Sequence, residues 1–155
     1  MLDQVGIKLL ADVRLLPGSR RYPQFNQDVL QHSLVEGGIN YEHFPELGAR
    51  RKPRPDSTNT AWRNDAFRGY ADYMETPAFQ NGAERLLEVA DRTGPTAVMC
   101  AEAVWWRCHR GLIADFLKSR GVEIIHILDA GRTAPHPFTS AARVVAGRLS
   151  YSELV

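Results

Sequence analysis

Apolar positions along the chain change period several times, and each change marks an element. Ile7–Val13, IKLLADV, is a short apolar run with a Pro17-Gly18 turn soon after, which predicts a buried strand. PGSRRYPQFN follows as a loop, with Pro17-Gly18 and Pro23 as breakers. Asn26 caps a predicted helix running to about Glu36, with Val29, Leu30, Leu34 and Val35 on one face and Gly37-Gly38 at its end. Ile39–Phe44 alternates and predicts a second strand. PELGARRKPRPDSTNT, with Pro45, Pro53 and Pro55, reads as a long loop of the kind that often carries function. An aromatic face of Phe67, Tyr70 and Tyr73 predicts a helix over Asn64–Met74. Thr76 caps another helix with Pro77 in its first turn, and Phe79, Ala83, Leu86, Leu87 and Ala90 keep helical spacing to Arg92 before Gly94-Pro95 breaks it. Thr96–Cys100 is a predicted strand, Arg110–Gly121 a helix, and Val122–Leu128 the last clear strand. Beyond that, Pro137 is placed at the start of a short helix, and Arg143–Tyr151 as two small strands about Gly147.

Strands alternating with helices predict an α/β fold: three layers, a mostly parallel central sheet and helices on both faces. We read residues 1–155 as a single domain, without repeats or low-complexity segments. In such sheets ligands sit beyond the carboxyl ends of the strands. That rule selects the loops after Val13, Phe44 and Cys100, which are also rich in Arg, Cys and His.

Composition narrows the function classes. A net charge of +1, with 44% hydrophobic and 24% charged residues, is ordinary for a globular protein and gives no global reason to expect nucleic acid or an anionic membrane. Positive charge is concentrated locally, in RRKPR (50–54) and RLLPGSRR (14–21). No apolar run approaches the ~20 residues of a membrane span, and the start lacks signal-peptide features. Two cysteines without such a signal predict a cytoplasmic protein whose thiols are free, liganding or reactive rather than a disulfide framework.

The densest chemistry lies in VMCAEAVWWRCHRGLIADFL (98–117). A strand-end cysteine followed by a loop and a helix start meets a field that lowers thiol pKa, which makes Cys100 and Cys108 candidate catalytic thiols. This layout is similar to that of rhodaneses and tyrosine-phosphatase-like enzymes, although six residues separate Cys100 from Arg107 and the loop lacks glycine. A metal reading takes Cys100, Glu102, Cys108 and His109, all ligand types that zinc accepts. The plain alternative makes both cysteines small buried hydrophobes. Arg110 is harder to place, because a guanidinium near a helix N-terminus opposes the dipole. It calls for Glu102, Asp12 or a bound anion.

In the first loop, Asp12 and Arg14 point to one side of their strand. Asp12 either orients an arginine for a ligand held by Ser19 and Arg20, or forms an internal salt bridge. RRKPRP with Trp62, Phe67 and Tyr70 is either a phosphate-and-base surface or a solvated charge run above core aromatics. Glu46, Asp65 and Glu102 are isolated acid/base candidates. No P-loop, dinucleotide fingerprint, zinc-protease motif or nucleophile elbow is present.

LLADVRLLPGSRRYPQFN, GINYEHFPELGARR, FRGYADYMETPAF, VMCAEAVWWRCHRGLIADFL and HPFTSAARVVAGRLSY together resemble the DUF488 family, bacterial and archaeal proteins of unknown function. The pattern falls on Asp12, Arg14, Pro17, Ser19 and Arg20; on Tyr41, Leu47 and Gly48; and on Cys100, Glu102, Cys108, His109 and Arg110. The resemblance implies an α/β fold and an intracellular bacterial protein, with no established reaction. The family usually opens with a strand and then a helix; this sequence reads as starting at the end of that helix, which leads us to expect no such strand, and Ala49 stands where a second glycine is usual.

These observations lead us to expect an Arg-lined pocket at the strand carboxyl ends. It would take an anionic ligand: a nucleotide, a nucleic-acid end or a phosphorylated metabolite. Arg14, Ser19, Arg20, Tyr41, His109 and Arg110 are its binding residues, and Asp12, Glu102, Cys100 and Cys108 its catalytic candidates. No cofactor is assigned and no membrane partner is expected. A thiol- or metal-dependent enzyme using Cys100, Cys108 and His109, and a non-catalytic interaction domain, are the alternatives.

Overall fold

The computed structural model describes residues 2–18 and 20–153. In chain order the elements are β1 (Leu9–Asp12), α1 (Gln27–Glu36), β2 (Asn40–His43), α2 (Asp65–Tyr73), α3 (Pro77–Thr93), β3 (Thr96–Met99), α4 (Arg110–Ser119), β4 (Ile125–Asp129), β5 (Arg132–Pro135), β6 (Arg143–Val145) and β7 (Arg148–Ser150). They fall into two compact units: Met1–Gly48 with Pro77–Ala101, and Ala49–Thr76 with Glu102–Val155. Among the described residues no helix is long and apolar enough to cross a membrane.

The first unit holds a parallel sheet in the order β2-β1-β3. All four residues of β1 are buried, as expected of a central strand covered on both faces. Leu10 packs with Leu30 of α1 and with Ile39, and Leu34, Tyr41, Ala97 and Met99 close round them. Parallel register aligns Asp12 with both His43 and Met99, so the three strand ends coincide. The α/β character therefore holds, and α1, α2, α3 and α4 lie where the hydrophobic periodicity puts them.

The parallel sheet stops at three strands among the described residues. The segment read as a further strand, β4, instead pairs antiparallel with β5. The reason is local: Gly131 adopts φ +80°, closing a tight turn after Asp129 that sends the chain back on itself. A parallel strand would have needed a crossover of a dozen or more residues. β6 and β7 form the small hairpin expected about Gly147. No helix starts at Pro137, where the chain is irregular.

In the second unit the long loop is pinned to α2. Asp72 accepts from the Arg54 backbone N–H (2.7 Å), the Ser57 hydroxyl (2.6 Å) and the Asn59 amide (2.7 Å). Burial pushes its carboxyl pKa up, but these donors outweigh burial and hold it below the usual value. Arg51 stacks over Tyr73 at 3.7 Å. The loop backbone comes so close to α2 that a Cβ on Gly69 would stand 2.1 Å from the Arg51 carbonyl oxygen. Backbone cannot swing aside as a flexible side chain does. Gly69→Ala should therefore destabilise the protein by about 2–3 kcal/mol, despite alanine's better helix propensity. Urea denaturation checks this, and an unchanged midpoint would contradict it.

Candidate functional site

In the first unit, Asp12 and Arg14 form a closed pair at the end of β1. Arg14 donates through Nε to Oδ1 (2.9 Å) and through Nη2 to Oδ2 (2.7 Å), and its backbone N–H reaches Oδ1 at 3.1 Å. The Tyr41 hydroxyl adds a 2.5 Å bond to Oδ2. Both charged residues are buried, Asp12 completely. Burial pushes the Asp12 carboxyl pKa up, yet the Arg14 and Tyr41 hydrogen bonds outweigh it and hold the pKa below the carboxylate norm. The same contacts raise Arg14 and Tyr41: Asp12 supports the guanidinium charge, and burial with Asp12 disfavours the phenolate. Arg14 thus spends two of its donors inside the fold, and the internal salt bridge describes it better than a ligand clamp.

Arg20 is exposed, beside an open hollow of about 600 Å3 lined with Gly18, Pro23 and Asn26. Ser19 lies outside the described residues. Glu46 pairs with Arg85, whose Nε lies 2.8 Å from Oε1, and Arg85 also reaches Glu42 at 3.0 Å. That network occupies Glu46. Asp65 is exposed, 3.9 Å from Arg68.

Neither Cys100 nor Cys108 is a free thiol. The free thiols expected from the sequence are therefore not found, and a thiolate role would first require reduction. His109 is buried, its Nδ1 3.5 Å from the Cys108 sulfur and its ring 5.0 Å from that of Tyr70. It makes no side-chain cap at the start of α4.

Arg110, the first residue of α4, is only partly paired among the described residues. Its Nη2 donates to the Glu102 backbone carbonyl at 2.6 Å. Its Nε is buried with no hydrogen-bond partner among the described residues. Burial lowers its pKa, and the Glu102 charge offsets only part of that. A guanidinium in this state, at the positive end of a helix, favours an incoming anion.

A polar cluster that the sequence reading missed lies in the same unit. Asp115, fully buried on α4, accepts four hydrogen bonds: from the Thr139 backbone N–H (3.0 Å), the Thr139 hydroxyl (2.6 Å), the Tyr151 hydroxyl (2.7 Å) and His136 Nε2 (2.8 Å). His136 Nδ1 lies 2.7 Å from His126 Nε2. The hairpin register explains the meeting: His126 pairs with Ala134, which leaves His136 diagonal to it on the same face. The His126 ring stacks on Trp105 at 4.3 Å, with 3° between planes. Burial, His136 and Arg110 together depress the His126 pKa to about 4. The available signal was Asp115 itself, an acid one helical turn from Leu112 on an otherwise apolar face.

Trp105 also walls a cavity of about 160 Å3, with Trp62, Phe67, Trp106, Gly111 and Thr139. The chain's three tryptophans all line it. Gly111 directly follows Arg110, so cavity and cation adjoin along the chain.

A family model described as "Domain of unknown function DUF488" matches residues 1–117. The match ends in α4, so β4 to β7 lie past it. Neither a curated protein nor a solved structure matches the chain.

Proposed function

Because the chain belongs to the DUF488 family, whose description supplies no reaction, we propose a function from the geometry: the second unit binds a phosphate-bearing ligand at Arg110, with a nucleotide as the favoured class. One observation carries this reading, the desolvated Arg110 guanidinium whose Nε bonds to nothing among the described residues. Burying a cation without full pairing costs stability, and an anion that pairs with it recovers that cost. The tryptophan-walled cavity favours the nucleotide, since bases stack on flat rings. Arg14, expected at first to share the anion, is committed to Asp12. Glu102 contributes its backbone carbonyl to the placement of Arg110.

Titration calorimetry with inorganic phosphate and with adenosine monophosphate tests this. Both should bind, the nucleotide more tightly and with a change in tryptophan fluorescence. Arg110→Gln should weaken both by at least about tenfold, the worth of a charge-assisted hydrogen bond. Equal affinities in the wild type and Arg110→Gln would reject Arg110 as the anchor. A phosphate response without any fluorescence change from the nucleotide would reject the base site.

A further inference from the structure

With His136 neutral, the hydrogen bonds that join Asp115, His136 and His126 run in one direction. Four donors converge on Asp115, two of them, the Thr139 backbone N–H and His136 Nε2, on the same oxygen Oδ1. A backbone N–H has no choice of role, so Oδ1 is an acceptor, and His136 must carry its proton on Nε2. A neutral His136 then offers a lone pair on Nδ1. His126 Nε2, 2.7 Å away, must supply the proton for that bond. By elimination the lone pair of His126 is left on Nδ1, the outer nitrogen of the chain. The ring carrying it is held flat against Trp105, which lines one cavity together with Gly111, the neighbour of Arg110. Buried histidines that serve packing alone need no such ordered series ending in a bare nitrogen.

We propose that Asp115, His136 and His126 form a proton relay in which His126 Nδ1 is the proton acceptor for a hydroxyl, of water or of a sugar, beside a phosphate held at Arg110. The inference rests on the Arg110 reading for the ligand, and on the histidine geometry alone for the relay. In the step, the O–H bond breaks, its electron pair stays on oxygen, and Nδ1–H forms. His126 becomes an imidazolium still donating through Nε2 to His136, which still donates through its own Nε2 to Asp115. The negative carboxylate at the buried end offsets the new positive charge, as an acid behind a catalytic histidine does. His126 touches the reacting proton, while His136 and Asp115 act through it as positioning residues. The depressed pKa of His126 keeps the acceptor unprotonated near neutral pH, and an anion at Arg110 would cancel one of the charges that depress it.

The wild-type protein, labelled with 15N at histidine, is the first sample. At pH 7, NMR should find His126 and His136 both protonated at Nε2, with His126 Nδ1 bare. A proton on His126 Nδ1, or a mixture of tautomers, overturns the relay. Diethyl pyrocarbonate is the second probe, because it acylates an exposed imidazole lone pair. Mass spectrometry should locate the adduct on His126 while His136 and His109 stay unmodified. An inert His126 overturns the proposal, since the lone pair would then face nothing. Asp115→Asn should keep the tautomers, because the amide oxygen can still accept from Thr139 and His136, yet slow the acylation of His126 by about tenfold, since the charge behind the relay is gone. An unchanged rate would make Asp115 a packing group and overturn its role. Inorganic phosphate should protect His126 from acylation in the wild type and leave it unprotected in Arg110→Gln. If the tautomers and the reactivity hold but phosphate gives no protection, the relay stands and the Arg110 ligand reading falls.

Discussion

Asp115→Ala should lower stability by about 3–5 kcal/mol, the cost of stripping the acceptor from a buried charged network. Four donors depend on this carboxylate, and the residue is completely buried. No water replaces it without a cavity large and polar enough to hold one. The Thr139 and Tyr151 hydroxyls can rotate toward other partners, but the Thr139 N–H and His136 Nε2 cannot, and these carry most of the penalty. Asp115→Asn should cost much less, about 1–2 kcal/mol. Its oxygen can replace Oδ1, and its NH2 can donate to the hydroxyls of Thr139 and Tyr151, which accept as readily as they donate. Guanidinium denaturation of the three proteins measures the difference. If alanine and asparagine cost the same, the carboxylate is not the hub of the second unit.

The contrast between Asp115 and its neighbours also explains what the sequence made legible. Helices α1 to α4 are written in local periodicity; at α2 Asn64 also accepts from the Ala66 and Phe67 backbone N–H groups, whereas Asn26, expected to cap α1, makes no side-chain cap bond. Two of the parallel strands, β1 and β3, are short apolar runs between breakers, and β2 lies in an alternating segment, so all three are legible. Strand direction was not. β4 has the composition of a parallel strand, and only Gly131 after it selects the hairpin. The site was half legible. Asp12 at the end of β1 and Arg14 two residues on are expected on one side, either as an internal salt bridge or around a ligand, and they meet as the salt bridge. The helix dipole marks Arg110 as a cation that calls for a partner, and its Nε has none among the described residues. The histidine chain was invisible because His126 and His136 are ten residues apart and meet only through the register of an unrecognised hairpin, while Asp115 is joined to them by tertiary packing.

The Asp12–Arg14 pair allows the sharpest separation of pairing from burial. Asp12→Ala should cost about 3–5 kcal/mol, because it leaves the Arg14 guanidinium buried without its counter-charge. Arg14→Met should cost a comparable amount by leaving the Asp12 carboxylate with Tyr41 as its remaining side-chain donor. The double variant should cost well under the sum of the two single costs, since two apolar side chains leave no unpaired charge. A double-mutant cycle by chemical denaturation gives the coupling, and strict additivity would reduce the pair to two independent packing residues. The pH dependence follows with a definite sign. The Asp12 pKa is lowered in the folded protein, so the unfolded chain binds the proton first as acid is added. The stabilisation is therefore complete above about pH 5, beyond the unfolded carboxyl value near 3.9, and drains away as pH falls through the folded value. In Arg14→Met the lowering from Arg14 is gone and burial raises the carboxyl, so uptake of the proton should relieve the variant. Its stability relative to wild type should improve as the solution is made acid, whereas a deficit constant from pH 7 to pH 3 would show that Asp12 and Arg14 do not act as a charged pair.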